Sequence, residues 1–145
     1  MIIDAQNTFS DAQALTGTSA VVSTNIIDLG SDRNIGVGEP MAVLLNVDVT
    51  AGGTTPSLVV TVQADDNASF SSATTVLASP SLVAASLVAG AQFVYLLPAD
   101  NSTERYIRLS YTQSGTSPTV TVTSSLQPAS AIQNVNYYPS GYTIS

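Results

Sequence analysis

From residue 26 onward, apolar and polar residues alternate with a period of two, the spacing that sends successive side chains to opposite faces of a strand. Val43, Leu45, Val47 and Val49 alternate with Leu44, Asn46, Asp48 and Thr50. After a loop of Gly52-Gly53-Thr54-Thr55-Pro56, Leu58, Val60, Val62 and Ala64 face one way, with Val59, Thr61 and Gln63 opposite. These two runs are expected to be adjacent antiparallel strands. Residues 105–112 predict another strand, with Ile107, Leu109 and Tyr111 on one face and Tyr106, Arg108 and Ser110 on the other. Beyond the Ser114-Gly115-Thr116-Ser117-Pro118 loop, Val120, Val122, Ser124 and Leu126 line a strand that Pro128 ends. Shorter strands are expected at 26–29, 74–78 and 92–97, the last with Phe93 and Tyr95 on one face. Residues 82–88, rich in alanine and hardly polar, suit a strand or a short helix.

Seven or eight short strands separated by Gly, Pro and Asn turns predict an all-β, single-domain, two-sheet sandwich, jelly-roll-like or Ig-like. The expected organisation is an N-terminal arm (1–25), a β-sandwich core (26–127) and a C-terminal arm (128–145). Within the first arm, Ser10 with Gln13 three positions on matches a capping box. It would open a short helix through Ala12, Ala14 and Leu15, ended by Gly17; the alternative is an irregular lead-in. No internal repeat is apparent.

Composition sharpens this picture. Only 9% of the 145 residues are charged, against about 25% in a typical soluble domain. There is no lysine, and the basic residues are Arg33, Arg105 and Arg108. Ser and Thr supply 37 residues, and β-branched side chains favour pleated sheets. The net charge of −7 argues against nucleic acid, whose phosphates are held by Lys and Arg, and against anionic membranes. No run of apolar residues is long enough for a transmembrane helix, and the opening Met1-Ile2-Ile3-Asp4 lacks the basic and apolar regions of a signal peptide.

Catalytic equipment is sparse. The chain has no Cys and no His, so disulfides, thiolates and imidazole bases are excluded. There is no G-x-S-x-G elbow, and Gly36-Val37-Gly38 has Met41 where a dinucleotide loop needs its third glycine. Asp65 and Asp66 are the candidate carboxylate pair, but strand neighbours point apart, and with Asn67 they read as a solvated turn. Their spacing does not fit a calcium-binding EF-hand loop. The sequons Asn67-Ala68-Ser69 and Asn101-Ser102-Thr103 are expected to be accidental. The expectation is a protein that is not an enzyme, with no cofactor and no metal.

The positive signals concern contact. Arg105 and Arg108 lie three apart in the expected strand, so one should face inward or into an interface, with Asp100 and Glu104 as local partners. A lysine-free sandwich lacks a common guard of strand edges, so its edges should be covered by its own termini or by another subunit. The termini carry apolar anchors: Ile2, Ile3 and Phe9 at the front; Ile132, Tyr137, Tyr138, Tyr142 and Ile144 at the back. They would form an interface or complete the sandwich.

Several segments carry a family resemblance: Phe9-Ser10-Asp11-Ala12-Gln13-Ala14-Leu15, Ile27-Asp28-Leu29-Gly30 and Asn34-Ile35-Gly36-Val37-Gly38-Glu39-Pro40. Further on come Gln63-Ala64-Asp65-Asp66-Asn67, Leu97-Pro98-Ala99-Asp100-Asn101, Glu104-Arg105-Tyr106-Ile107-Arg108-Leu109-Ser110-Tyr111 and the tail from Leu126. In order and spacing the chain resembles the Bbp16-like family of capsid cement (decoration) proteins of tailed bacteriophages, with residues 68–90 matching least. The resemblance implies a jelly-roll-like protein, made in the bacterial host cytoplasm, that coats the outer surface of an HK97-type capsid. It implies the major capsid protein as partner, bound across capsomer boundaries, and a homo-oligomer, dimer or trimer, at local symmetry axes. Other readings are a carbohydrate- or host-binding sandwich on the virion surface, a carboxylate-only hydrolase and a fibre-like polymer subunit.

Overall fold

The computed structural model describes residues 4–32, 38–98 and 104–132. A short 3-10 turn (Ala5–Asn7) leads into eight strands: β1 (Thr8–Thr16), β2 (Val21–Val22), β3 (Ile27–Asp28), β4 (Met41–Asp65), β5 (Thr74–Ala78), β6 (Leu82–Val83), β7 (Gln92–Leu96) and β8 (Tyr106–Pro128). All belong to one antiparallel sheet. The all-β, single-domain expectation holds.

Two strands carry the architecture. β4 and β8 pair along almost their whole length, from Met41↔Pro128 to Asp65↔Tyr106. The register shifts repeatedly between Val47 and Ser57, where both strands bend. On one side of the bend, β1, the second half of β8, the first half of β4 and β7 lie in that order. On the other side the order is β2 and β3, the first half of β8, the second half of β4, then β5 and β6. Two four-stranded layers result, in the arrangement of a long hairpin rolled up into a jelly roll. Here the hydrogen-bonded ladder runs unbroken from one layer to the next, so the two expected sheets are one sheet folded over.

The runs at 41–50 and 57–65 are therefore not paired neighbours, as their alternation suggested. They are two halves of β4, facing each other across the core. The bend uses the tetrapeptide Gly53-Thr54-Thr55-Pro56 opposite Gly115-Thr116-Ser117-Pro118, a short internal repeat that strand periodicity does not reveal. Gly53 and Gly115 have φ of +99° and +112°, and Thr55 and Ser117 follow at +48° and +49°. A Cβ on Gly53 would lie 2.6 Å from the Ser117 carbonyl oxygen, and one on Gly115 would lie 2.7 Å from the Thr54 and Thr55 oxygens. Only glycine allows the two backbones to cross so closely.

Between the layers, Val43, Leu45 and Val47 meet Leu58, Val60 and Val62, with Leu109, Tyr111, Val122 and Leu126 from β8. Side chains of this type contribute roughly 1.5–3 kcal/mol each when fully buried. Phe9 and Leu15 of β1 belong to the same core and are almost wholly buried.

Residues 8–16 are thus an edge strand, neither a helix nor a free arm. The Ser10–Gln13 contact does form, with Ser10 Oγ donating to Gln13 Oε1 at 2.7 Å. It braces a pair of register shifts on either side of Ser10, the second of which contains Ala12, whose φ is +46°. The tail begins differently from the expected arm as well. Residues 129–132 make a helical turn whose Ala129 and Ile132 cover Ala42 and Leu44 on the outer face of the first layer. The edges need no lysine, because β1 is bulged and the other outer strands are two to five residues long.

Candidate interaction surface

The fold gives the molecule two unlike poles. The ends of β4 and β8 lie together at one, and their bends lie at the other. The end pole gathers Asp28, Asp32, Glu39, Asp65, Asp66 and Arg105.

Arg105 lies just before β8, outside the strand that was expected to include it. Its Nε and Nη2 donate to Asp28 Oδ1 and Oδ2 at 2.7 and 2.9 Å. Its guanidinium sits 5.0 Å from the Tyr106 ring centre. This carboxylate partner is a residue on β3, distant in sequence, and Asp100 lies outside the described residues. The Arg105 hydrogen bond, followed by one from the Gly30 amide, holds the Asp28 carboxyl at about 2, and Arg105 is correspondingly raised. A depressed carboxyl stabilises the fold above its unfolded value near 3.9. That contribution is lost as the pH falls toward 2, so Asp28→Asn should flatten the acid limb of stability over this window in urea titrations at graded pH.

Arg108 projects from the outer face of the second layer. Its Nε donates to Gln63 Oε1 at 2.9 Å, and the guanidinium stacks 4.2 Å from the Phe70 ring centre. Neither arginine therefore points into the core: Ile107, Leu109 and Tyr111 take that face, and the spacing argument fails because Arg105 precedes the strand.

Asp65 is buried and structural, not a solvated turn residue. Its Oδ1 accepts from the Asn67 amide at 3.0 Å, and its Oδ2 accepts from the Ser72 amide at 2.8 Å. Burial raises its pKa, but the Ser72 amide, Asp66 and the Asn67 amide together bring it below the ordinary value. Asp66 moves up, because it shares a hydrogen bond with Asp65, loses water and faces the charges of Asp65 and Asp32. A raised carboxyl opposes folding at neutral pH and ceases to do so once protonated. Asp66→Asn should therefore raise the melting temperature at pH 7, and the gain should vanish at acidic pH in paired thermal melts.

The bend pole is different in kind. It comprises residues 16–20, 49–58, 82–90 and 113–119, drawn together by Gly17 N donating to Pro118 O, Ala51 N to Leu87 O and Gly90 N to Val47 O. None of these residues is charged. Val49, Val83 and Val88 stand there 57%, 55% and 45% exposed. Val49, expected in the core with Val47, turns outward because the ladder gains a residue between them.

Of the expected contact residues, Phe9 is corrected: a side chain with no exposed surface anchors the core and cannot touch a partner. Ile2, Ile3, Tyr137, Tyr138, Tyr142 and Ile144 lie outside the described residues. The cavities among the described residues include two shallow ones. One, about 300 Å³, is lined by Ala5, Thr8, Asp11, Asn25 and Thr123. The other, about 280 Å³, is lined by Thr55, Pro56, Ser57, Val83, Ala84 and Ala85. Neither brings two carboxylates together, and no three metal-ligating side chains cluster among the described residues.

Fold and surface define a jelly-roll protein with one acidic pole and one uncharged pole. The chain belongs to the Bbp16 family, whose model matches residues 9–126, from the buried Phe9 to the end of β8. No curated protein matches it.

Proposed function

We propose that this protein is a capsid cement protein of a tailed bacteriophage. It binds the outer surface of the shell across capsomers of the major capsid protein and holds them against internal pressure, acting as a homo-oligomer. Family membership over residues 9–126 carries the reading, joined to the resemblance of its turn and strand segments to capsid cement proteins. The fold is in keeping with it: a stiff two-layer body whose strand edges are short or bulged. The mechanism is linkage, since a ligand that binds only the assembled shell stabilises it by mass action, and attachment at many points adds avidity.

Among the described residues the exposed large apolar side chains are all aliphatic, so no aromatic platform favours glycan binding. The test is co-sedimentation with mature shells stripped of the protein. Saturable binding at a fixed number of copies per capsomer is expected, and absence of binding would refute the proposal.

A further inference from the structure

We propose that the recess beside the bulge of β1 is a binding site for a primary ammonium group, carried either by a lysine side chain of a partner protein or by a free polyamine. The inference does not rest on the cement reading, because this chain's own side chains define the recess.

The bulge shapes the recess. Ser10 pairs with Ser124 and Gln13 with Val122, so two residues of β1, Asp11 and Ala12, stand against Thr123 alone. Ala12 takes a φ of +46° there, an uncommon conformation for a residue with a side chain. Its amide donates to Thr123 Oγ1 at 2.9 Å. A bulge of this kind re-aims a side chain that regular pairing would fix, and the side chain concerned is Asp11. The cavity beside it, about 300 Å³, is lined by Ala5, Thr8, Asp11, Asn25 and Thr123. That volume falls at the lower end of the roughly 300–1,000 Å³ of small-ligand pockets.

The lining offers acceptors that lack donors. Asn25 Nδ2 donates to the Thr8 carbonyl oxygen at 3.3 Å, which fixes the amide and leaves Oδ1 without a donor among the described residues. The exposed Asp11 carboxylate likewise receives no hydrogen bond among them. The threonine hydroxyl protons are already engaged. Thr8 Oγ1 donates to the Asp4 carbonyl oxygen at 2.8 Å, and Thr123 Oγ1 donates to Asp48 Oδ2 at 2.6 Å. A carboxylate and an amide oxygen in need of donors match a group that is compact, cationic and all donor. A primary ammonium is such a group, with three N–H donors and no acceptor. Asp11 would accept a charge-assisted bond, Asn25 Oδ1 would accept a second, and Ala5 with the two threonines would flank the alkyl stem. This chain has no lysine to fill the recess, and Arg105 and Arg108 are held elsewhere by Asp28 and Gln63. Its net charge of −7 draws cations from solution.

The test is a titration of the purified full chain with n-butylammonium, read from amide chemical shifts at constant ionic strength. Saturable shifts centred on Ala12, Asn25 and Thr123 are expected, with a Kd on the order of millimolar that weakens as salt is added. Asp11→Asn should weaken binding about tenfold or more, since it removes the charge from a charge-assisted bond. Because the Asp11 side chain makes no hydrogen bond in the fold, this variant should keep its stability. Asp32→Asn, at the end pole, should bind as the wild type does. Tetramethylammonium, a cation without donors, should not compete. Absence of saturable shifts, binding that survives Asp11→Asn, or equal binding of tetramethylammonium overturns the inference. The source of the ammonium is read from wild type and Asp11→Asn on stripped shells and with spermidine. A tenfold loss of shell binding in the variant assigns the site to a lysine of the shell. Equal shell binding, with spermidine held by the wild type and not by the variant, assigns it to a free polyamine. Failure of the butylammonium titration sinks this inference alone, whereas a protein that binds the amine and ignores shells sinks the cement reading alone.

Discussion

Gly53→Ala is expected to cost roughly 2–5 kcal/mol of stability, summing a left-handed backbone penalty of about 1–2 kcal/mol and a packing clash of about 1–3 kcal/mol. The clash is with backbone, not a movable side chain: the Ser117 and Thr116 carbonyl oxygens lie 2.6 and 2.7 Å from where the methyl would be. Gly115→Ala should behave alike, because a similar tetrapeptide crosses from the other strand and the added Cβ would lie 2.7 Å from the Thr54 and Thr55 carbonyl oxygens. Gly90→Ala is the internal control. Its φ is +88°, yet nothing lies within 4 Å of its added Cβ, so it should lose only the backbone part, about 1–2 kcal/mol. Urea midpoints should rank wild type, Gly90→Ala, then Gly53→Ala, with unchanged slopes. Equal losses at positions 53 and 90 would mean that the strand crossing is looser than the geometry shows.

The second large effect is expected at Tyr111. Its side chain spans the interior from the second layer to the first, where its hydroxyl lies 2.6 Å from Ser124 Oγ and 2.7 Å from Ser10 Oγ. Ser10 gives its own proton to Gln13. Tyr111 must therefore donate to Ser10 and accept from Ser124, which makes a one-way chain of buried hydrogen bonds. Tyr111→Ala should cost roughly 3–5 kcal/mol for the lost ring, with a further 1–3 kcal/mol or so for the abandoned serine hydroxyls. Tyr111→Phe isolates the hydroxyl and should cost about 1–2 kcal/mol.

A pH signature separates the two effects. Burial pushes the Tyr111 phenol above its ordinary value of 10.0, outweighing the two serine hydrogen bonds. The folded state therefore keeps its proton where the unfolded chain releases it. Stability should be retained below about pH 10 and lost as the pH climbs above it. That alkaline loss should be smaller in Tyr111→Phe, as read from urea titrations at graded pH.

These effects centre on long-range contacts, and there the sequence is hardest to read. The inward faces of β4 and β8 are plain from the alternation of Leu58, Val60, Val62 and Ala64 and of Ile107, Leu109 and Tyr111, because burial on one side imposes a period of two. The same alternation cannot tell a bend from a reversal. Gly-Thr-Thr-Pro suits either, and the choice is made by Gly115-Thr116-Ser117-Pro118 on a strand more than fifty residues away. Likewise Ser10 and Gln13 meet as a capping box would require, yet across a strand bulge. Phe9 settles the matter by entering the core.

The surface was legible in part. The absence of His and Cys is plain from composition, whereas the Arg105–Asp28 pair joins residues 77 apart that no local pattern connects. Val49 was misread because the extra residue at the Asp48 bulge reverses its face. The uncharged pole left one signal in the sequence: no charged residue occurs between Asp66 and Asp100. That gap contributes the exposed Val83 and Val88.

The central claim is that this jelly roll holds a capsid shell together, and the rupture temperature of mature shells tests it most directly. Stripped shells should break at a lower temperature than native ones, and adding back the purified protein should restore the native value in proportion to the copies bound. Shells that bind the protein to saturation yet rupture at the stripped temperature would contradict the account.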